Sequence, residues 1–349
     1  MWTVDSISTS GLQLSLDKLG YLYAVGSDHY EDDAGPDAVL SKYDASGNVI
    51  WSTHFSSTGP DTATDVSADG LGNVFVTGQY WPIGKSNASL YVNKYTAEGQ
   101  MQWTTLIPTN AAGLNFRIAA DDLGNIFVGG STDVNLAGRN KGSSDAFIAK
   151  LNSGGDVAWI RQFGTPSSDD VMAIAADGLG NAYLGGSTIG SLLKPKQGFS
   201  DAFIYKYDAN GNIIWNQQLN DPGFDAILGL AVANDKTLLA LGGGLFPGTE
   251  NDAFLMQFDD QGQALRTELF GAKGDFYVTS VDSDHHGGAF VTGTVSVSWG
   301  GDWQGASDAY LARFTVPEPS GSELARLVPL ALMSLGRFRR KRIGHPTSG

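Results

Sequence analysis

Two segments alternate along this chain, and their recurrence at intervals of 50 to 57 residues constrains the fold more than any other feature. The first reads Asp201-Ala-Phe-Ile-Tyr-Lys206-Tyr-Asp-Ala-Asn-Gly211-Asn-Ile-Ile-Trp215 and returns at 145–159 and 37–51. Ser89–Trp103 is a weaker copy, Asp252–Arg266 keeps the frame without the Trp, and Asp308–Thr315 is a half copy. The second reads Asp69-Gly-Leu-Gly-Asn-Val-Phe-Val-Thr-Gly78 and returns at 122–130, 177–186 and 284–293, with looser copies at 17–26 and 234–243. The closing glycines Gly26, Gly78, Gly130, Gly186, Gly243 and Gly293 are 52, 52, 56, 57 and 50 residues apart. Units of this length that cannot bury a face alone must stack on one another, as a solenoid or a propeller.

Each repeat predicts four short strands. Strand a is 202–207, and the Asx-rich turn 208–212 leads to strand b at 213–217. Strand c is 226–232, or 64–68 in an earlier copy. Strand d, 74–77, follows a tight Gly-Leu-Gly-Asn turn. Val, Ile, Phe and Tyr dominate, and helical periodicity is absent. The expectation is an all-β propeller of four-stranded antiparallel blades over residues 1–315, with six blades counted. The last copy supplies strand a only, and Trp2 holds the strand-b position of Trp51. One blade is therefore expected to combine the C-terminal strand a with N-terminal strands b, c and d, closing the ring.

These segments resemble the bacterial β-propeller repeats of the SBBP family, whose pattern runs roughly D-A-F-V-A-K-Y-D-x-x-G-N-x-x-W and then D-x-x-G-N-x-Y-V-T-G. That resemblance implies seven blades. Met1-Trp2 lacks the Gly-Asn lead-in of the other b strands, so a seventh blade is expected if sequence precedes Met1.

The chain carries net charge −15, unevenly spread. From Pro317 onward there are six basic and two acidic residues, which leaves 16 basic and 35 acidic before it, a net of −19. A body this acidic repels nucleic acid and anionic lipid. The absence of Cys excludes disulfides, thiolate metal sites and Cys nucleophiles. The tail 316–349 is a separate device, with a linker at 316–323, an apolar segment expected as a short helix at 324–336 and a basic cluster at 337–342. Pro317-Glu318-Pro319, the apolar segment and then Arg337, Arg339, Arg340, Lys341 and Arg342 resemble the PEP-CTERM sorting signal. The resemblance implies export, membrane retention through the tail and processing by an exosortase, with the basic cluster cytoplasmic. No basic n-region or long apolar h-region opens the chain at Met1-Trp-Thr-Val-Asp, so export again implies sequence upstream.

Chemistry is sparse. No G-x-S-x-G, H-E-x-x-H or P-loop pattern occurs. His285 and His286 are adjacent on a c–d turn and make a poor chelate, and His54 reads as part of a blade face. Asp208, Asn210 and Asn212 offer alternate oxygens but lack the distal Glu of a calcium loop, so they read as an Asx-bonded hairpin turn. Asp61, Asp169 and Asp225 each lie ten residues after the strand-b Trp and read as b–c loop residues, the place where Ca2+ would sit if any binds. No cofactor is expected. Lys42, Lys94, Lys150, Lys206 and Arg313 recur on strand a and read as one repeated structural bond. Trp51, Trp103, Trp159 and Trp215 read as inter-blade core.

Trp81, Trp299 and Trp303 fall outside the repeat, in the variable d–a connections. Strand alternation puts those connections and the b–c loops on one face and the tight turns on the other. A rigid scaffold with variable loops is where recognition resides. Trp81, Trp299 and Trp303 beside Asp61, Asp169 and Asp225 are the candidate ligand face, suited to polysaccharide or to a surface protein. The expected function is non-enzymatic: an exported envelope or matrix propeller. A polysaccharide lyase or glycosidase, and a plain structural spacer, are the competing readings.

Overall fold

The computed structural model describes residues 10–28, 37–55, 61–81, 88–109, 116–219, 225–233, 237–244, 252–271, 276–283, 288–295 and 308–315. Blade one contains β1 (Ser10–Leu16), β2 (Leu22–Asp28), β3 (Asp37–Tyr43) and β4 (Val49–Phe55). Blade two contains β5 (Asp61–Ala68), β6 (Val74–Tyr80), β7 (Ser89–Tyr95) and β8 (Met101–Ile107). Blade three contains β9 (Arg117–Ala120), β10 (Ile126–Thr132), β11 (Asp145–Leu151) and β12 (Val157–Phe163). Blade four contains β13 (Asp169–Ala176), β14 (Ala182–Thr188), β15 (Asp201–Tyr207) and β16 (Ile213–Leu219). Blade five contains β17 (Asp225–Ala233), β18 (Thr237–Gly244), β19 (Asp252–Phe258) and β20 (Ala264–Phe270). Blade six contains β21 (Phe276–Ser283), β22 (Gly288–Val295) and β23 (Asp308–Thr315). All neighbours are antiparallel, and the architecture is a six-bladed β-propeller.

The strands group as c-d-a-b, not as a-b-c-d. Strands d and a pair across the variable connection, whereas b is the outer edge of one blade and c the inner edge of the next. This corrects the expected closing blade. The N-terminal c and d strands, β1 and β2, belong with β3 and β4, and the C-terminal strand a, β23, pairs with β22. Trp2 and any strand b that it would add to β23 lie outside the described residues.

Burial follows this grouping. Strands d and a are covered on both faces by the neighbouring blades, so β3, β14 and β15 are buried along their whole length. Outer strands such as β4 and β20 alternate. The core lies in the seams: the packed clusters each draw on two adjacent blades, as where Tyr23 and Leu40 meet Ala63, Val74 and Tyr91.

The four seams from blade one to blade five carry the same device. The strand-b Trp donates its indole N–H to a carbonyl in the a–b turn of the next blade: Trp51 to Ala97 (3.0 Å), Trp103 to Ser153 (3.2 Å), Trp159 to Ala209 (3.1 Å) and Trp215 to Asp260 (3.0 Å). The strand-a Lys reaches the same carbonyl, Lys42 at 3.1 Å, Lys94 at 3.4 Å, Lys150 at 3.0 Å and Lys206 at 3.4 Å. On its way each ammonium crosses an aromatic ring of strand d, such as Phe127 (5.5 Å) or Tyr183 (5.0 Å). The turn glycine packs flat on the indole. Gly211 has φ +75°, and a Cβ there would lie 2.8 Å from the Trp159 ring. Burial pulls the Lys206 ammonium down, but the Asp260 carboxylate and Tyr183 outweigh it and the net shift is upward. At the seam between blades five and six, Gln257 and Arg266 replace Lys and Trp, and Arg266 reaches Thr315 O at 3.5 Å.

The inner ring is stitched by side chains. Ser15 Oγ accepts Ala68 N–H and Ser67 Oγ accepts Ala120 N–H, both at 3.0 Å, and Asp65 Oδ2 accepts Ile118 N–H at 3.0 Å. Arg117 Nε donates to Met172 O at 2.8 Å. Burial pushes the Asp65 carboxyl up to about 6, against the opposing pull of Arg117. The folded state thus holds this proton more tightly than the unfolded chain, and this group's contribution to stability falls as pH rises through about 6. A carboxyl 13C titration of Asp65 is expected to turn near pH 6; a midpoint at the ordinary carboxylate value would mean that the group is solvated.

The c–d turns close on their own Asp. Asp177 Oδ1 accepts the N–H groups of Leu179 (2.9 Å) and Asn181 (2.8 Å), and Oδ2 accepts the Asn181 amide at 2.8 Å. Asp69 and Asp121 do the same, so in blade three the cap is Asp121 and not its neighbour Asp122. Asp177 is buried. Asp177→Ala leaves three N–H donors without their acceptor and is expected to cost about 1–3 kcal/mol in denaturant unfolding. Asp177→Asn, which keeps one acceptor, is expected to cost less.

Candidate functional site

The loop face is best defined where blades three and four meet. Two d–a connections, 133–144 and 189–200, are of equal length there, and both are clasped by a glutamine three residues after the strand-b Trp. Gln162 Oε1 accepts the N–H groups of Leu136 (2.8 Å) and Ala137 (3.2 Å), while its Nε2 donates to Val134 O and Asp145 Oδ2, both at 3.0 Å. Gln218 repeats the clasp with Leu193 (2.7 Å), Lys194 (3.0 Å) and Asp201 (2.5 Å). Buried Asp145 and Asp201 each take a further loop N–H, from Lys141 and Gln197.

Between the two connections lies the b–c loop 164–168. A Cβ on Gly142 would meet the Pro166 carbonyl carbon at 2.3 Å, and one on Gly190 would meet Thr165 Oγ1 at 2.1 Å. Only glycine permits three loops to approach this closely. Backbone bonds join them beneath, Asp169 N to Ser144 O and Ile189 N to Ser168 O, both at 3.0 Å. The result is a rigid open cleft of about 460 Å3 lined by Arg139, Asn140, Lys141, Gly164, Thr165, Pro166 and Ser191.

The predicted acidic residues are not on its surface. Asp61, Asp169 and Asp225 are each buried and open strands β5, β13 and β17, where the sequence reading placed them in the b–c loops of the ligand face. Asp169 shows why. Its Oδ2 accepts Thr165 N–H (2.6 Å) and Thr165 Oγ1–H (3.0 Å), and its Oδ1 accepts Thr188 Oγ1–H (2.5 Å). The carboxylate therefore shapes the loop above it. A Cβ on Gly164 would lie 2.4 Å from Asp145 Oδ1 and 2.9 Å from Asp169 Oδ2, so two buried carboxylates converge there. Burial raises the Asp169 carboxyl, Thr188 and Thr165 oppose that shift, and Asp145 adds to it.

Trp81 is half-buried just past β6, with its indole N–H 3.3 Å from Gln79 Oε1. Trp299, Trp303, His285, His286 and the whole tail, with Pro317, Glu318, Pro319 and the basic cluster, lie outside the described residues. His54 sits exposed on β4. Asp208 Oδ1 accepts the N–H groups of Asn210 and Asn212, and Oδ2 accepts the Asn212 amide, which is the Asx-bonded hairpin expected. Among the described residues no three His, Asp or Glu side chains group as metal ligands.

Sequence reasoning missed Arg139, Lys141 and the exposed Phe199, which lie in connections with no counterpart in the repeat. One signal was present. Both repeats with a Gln three residues after the Trp carry connections of twelve residues. The opposite face consists of tight turns and presents the exposed side chains of Leu19, Leu71, Leu123 and Leu179.

This geometry defines a β-propeller made of duplicated blades. Residues 158–194 match the family model described as SBBP, a beta-propeller repeat. The regulatory protein FlaEY of Caulobacter vibrioides is 25% identical over 252 residues, covering 60% of this chain and 26% of that one. The chain spans between 11% and 26% of the length of the curated relatives it matches. Among solved structures, the Penicillium chrysogenum alpha-L-arabinanase complexed with arabinobiose superposes with TM-score 0.53 at 11% identity, over 89% of this chain and 95% of that one. The beta-propeller domain of the Trilobed protease from Pyrococcus furiosus gives 0.52 at 10% identity, over 88% and 84%. Both likenesses are of fold.

Proposed function

We propose that this propeller is a non-catalytic recognition module of an exported bacterial protein, sorted to the cell envelope by its C-terminal tail, whose loop face takes a polysaccharide or a surface protein. The observation that carries this reading is the cleft between blades three and four. Three loops are bonded there to one another and to the blade strands, leaving exposed polar and cationic side chains above them. The tail fits the same orientation. Strand a runs from the loop face to the tight-turn face, so the chain leaves β23 at Thr315 on the side of the exposed leucines. A tail that begins there leaves the loop face at the other end of the ring.

Intact-mass analysis of the native protein from each cell fraction tests export. An envelope or secreted form that ends near Pro317–Pro319 supports the sorting role. A cytoplasmic form ending at Gly349 removes it.

The converging carboxylates Asp145 and Asp169 favour a second reading, glycosidic bond cleavage, because paired carboxylates perform that chemistry. Here both are buried and spend their oxygens on Lys141, Gln162, Thr165 and Thr188. A similar Asp pair begins strands a and c at Asp201 and Asp225. A duplicated, inward-turned pair supports a structural role over a catalytic one.

A further inference from the structure

We propose that the cleft between blades three and four is an oxyanion subsite for an acidic saccharide, with Arg139 and Lys141 receiving the carboxylate or sulfate of a sugar unit. The inference rests on the reading of the loop face as a recognition face and names the ligand class for it.

Charge is the first ground. The body is strongly acidic, and most of its described cations are already engaged. Lys42, Lys94, Lys150 and Lys206 bond the seams. Arg161 donates to Gly211 O and Asn210 O, Arg117 to Met172 O, and Arg266 pairs with Glu268. Lys18 pairs with Asp122. Arg139 and Lys141 are exposed, and among the described residues neither side chain is in an ion pair. Both line the same cleft. Lys194 adds a third exposed ammonium on the facing loop.

The carboxylates nearby do not neutralise them by contact. Asp145 and Asp169 lie beneath the floor and are bonded to the loops from below. Asp133, at the foot of the Arg139 loop, faces Asp170, which accepts Ser131 Oγ–H at 2.9 Å. Two unpaired cations on loops that are bonded from below are available to an anion, and a guanidinium with an ammonium suits a planar carboxylate or a sulfate.

The remaining lining favours a sugar over a bare ion. The cleft is open and about 460 Å3, within the range that small ligands occupy. Ser191, whose Oγ accepts Lys196 N–H at 3.1 Å, keeps its O–H to donate from the far wall, and Pro166 offers an apolar patch. Asn140 is not available, since its amide donates to Thr132 O and its oxygen accepts Gly142 N–H.

Titration calorimetry of the full chain with trigalacturonate, the neutral galactose trimer and inorganic phosphate tests this. Trigalacturonate is expected to bind at least about tenfold more tightly than the neutral trimer, since it alone offers carboxylates to the two cations. The double variant Arg139→Ser with Lys141→Ser is expected to lose at least about tenfold in affinity for it, with the unfolding midpoint unchanged, because neither side chain bonds the fold. Equal affinity for the acidic and neutral trimers, or an unaffected double variant, overturns the subsite while leaving the recognition face standing. Phosphate binding as tightly as trigalacturonate overturns the saccharide assignment and leaves a small-anion site. No binding of any of the three, with glycan and protein arrays also blank, overturns both the subsite and the recognition face.

Discussion

Gly186→Ala is expected to destabilise the propeller by about 3 kcal/mol, at the upper end for overpacking a well-filled site. A Cβ at Gly186 would stand 1.9 Å from Asp170 O, a backbone atom, and 3.0 Å from the Phe203 ring. The carbonyl is there because β13 bulges between Val171 and Ala173, opposite Gly186. The inner strands β5, β17 and β21 bulge at the same level, and the facing glycines Gly78, Gly242 and Gly293 are crowded in the same way. In blade five the glycine facing the bulge is therefore Gly242, although the sequence period points to Gly243. A Cβ on Gly243 meets nothing nearer than 3.8 Å. Gly243→Ala is thus expected to be neutral or to stabilise by up to about 1 kcal/mol, since alanine costs less chain entropy in a strand. Guanidinium unfolding of the two variants separates them. Equal losses would mean that glycine is needed for strand conformation in general and not for the bulge.

Trp159→Ala is expected to cost about 3 kcal/mol, the lower end for truncating a large aromatic, because the indole is half-buried. The ring fills the seam between blades three and four, with Phe127 and Tyr207 rings at 6.2 Å and the Arg161 guanidinium over it at 5.3 Å. Its N–H and the Lys150 ammonium share the Ala209 carbonyl. Trp159→Phe keeps most of the packing and loses the hydrogen bond, so about 1 kcal/mol is expected. Paired replacement of Trp159 and Lys150 is expected to cost less than the two single losses combined, since both serve one acceptor. A full loss in Trp159→Phe would place the stabilisation in the hydrogen bond and not in the ring.

The propeller was legible because its signals are local. Asx-Gly turns, apolar runs and a constant spacing each act within a few residues, and duplication shows them several times. The grouping of strands into blades was not legible. A repeat has no marked beginning, and a, b, c, d reads the same as c, d, a, b. The grouping is decided by long-range pairing, in which strand d joins strand a across connections of different length. The candidate acidic residues failed for a related reason. Asp169 follows Gly-Thr-Pro-Ser-Ser and looks like loop, yet the loop exists because its carboxylate holds Thr165. Arg139 and Lys141 lie where the period breaks, and only folding brings them to Thr165 and Ser191.

The most direct test of a recognition propeller is one incubation read in two ways. The purified chain is mixed with acidic and neutral polysaccharides, and retention on the polymer and release of new reducing ends or unsaturated products are followed together. Retention on an acidic polymer without cleavage is the predicted result. Cleavage by the wild-type chain that disappears in Asp169→Asn, while that variant still folds and is still retained, would contradict it and make the buried carboxylates a catalytic pair.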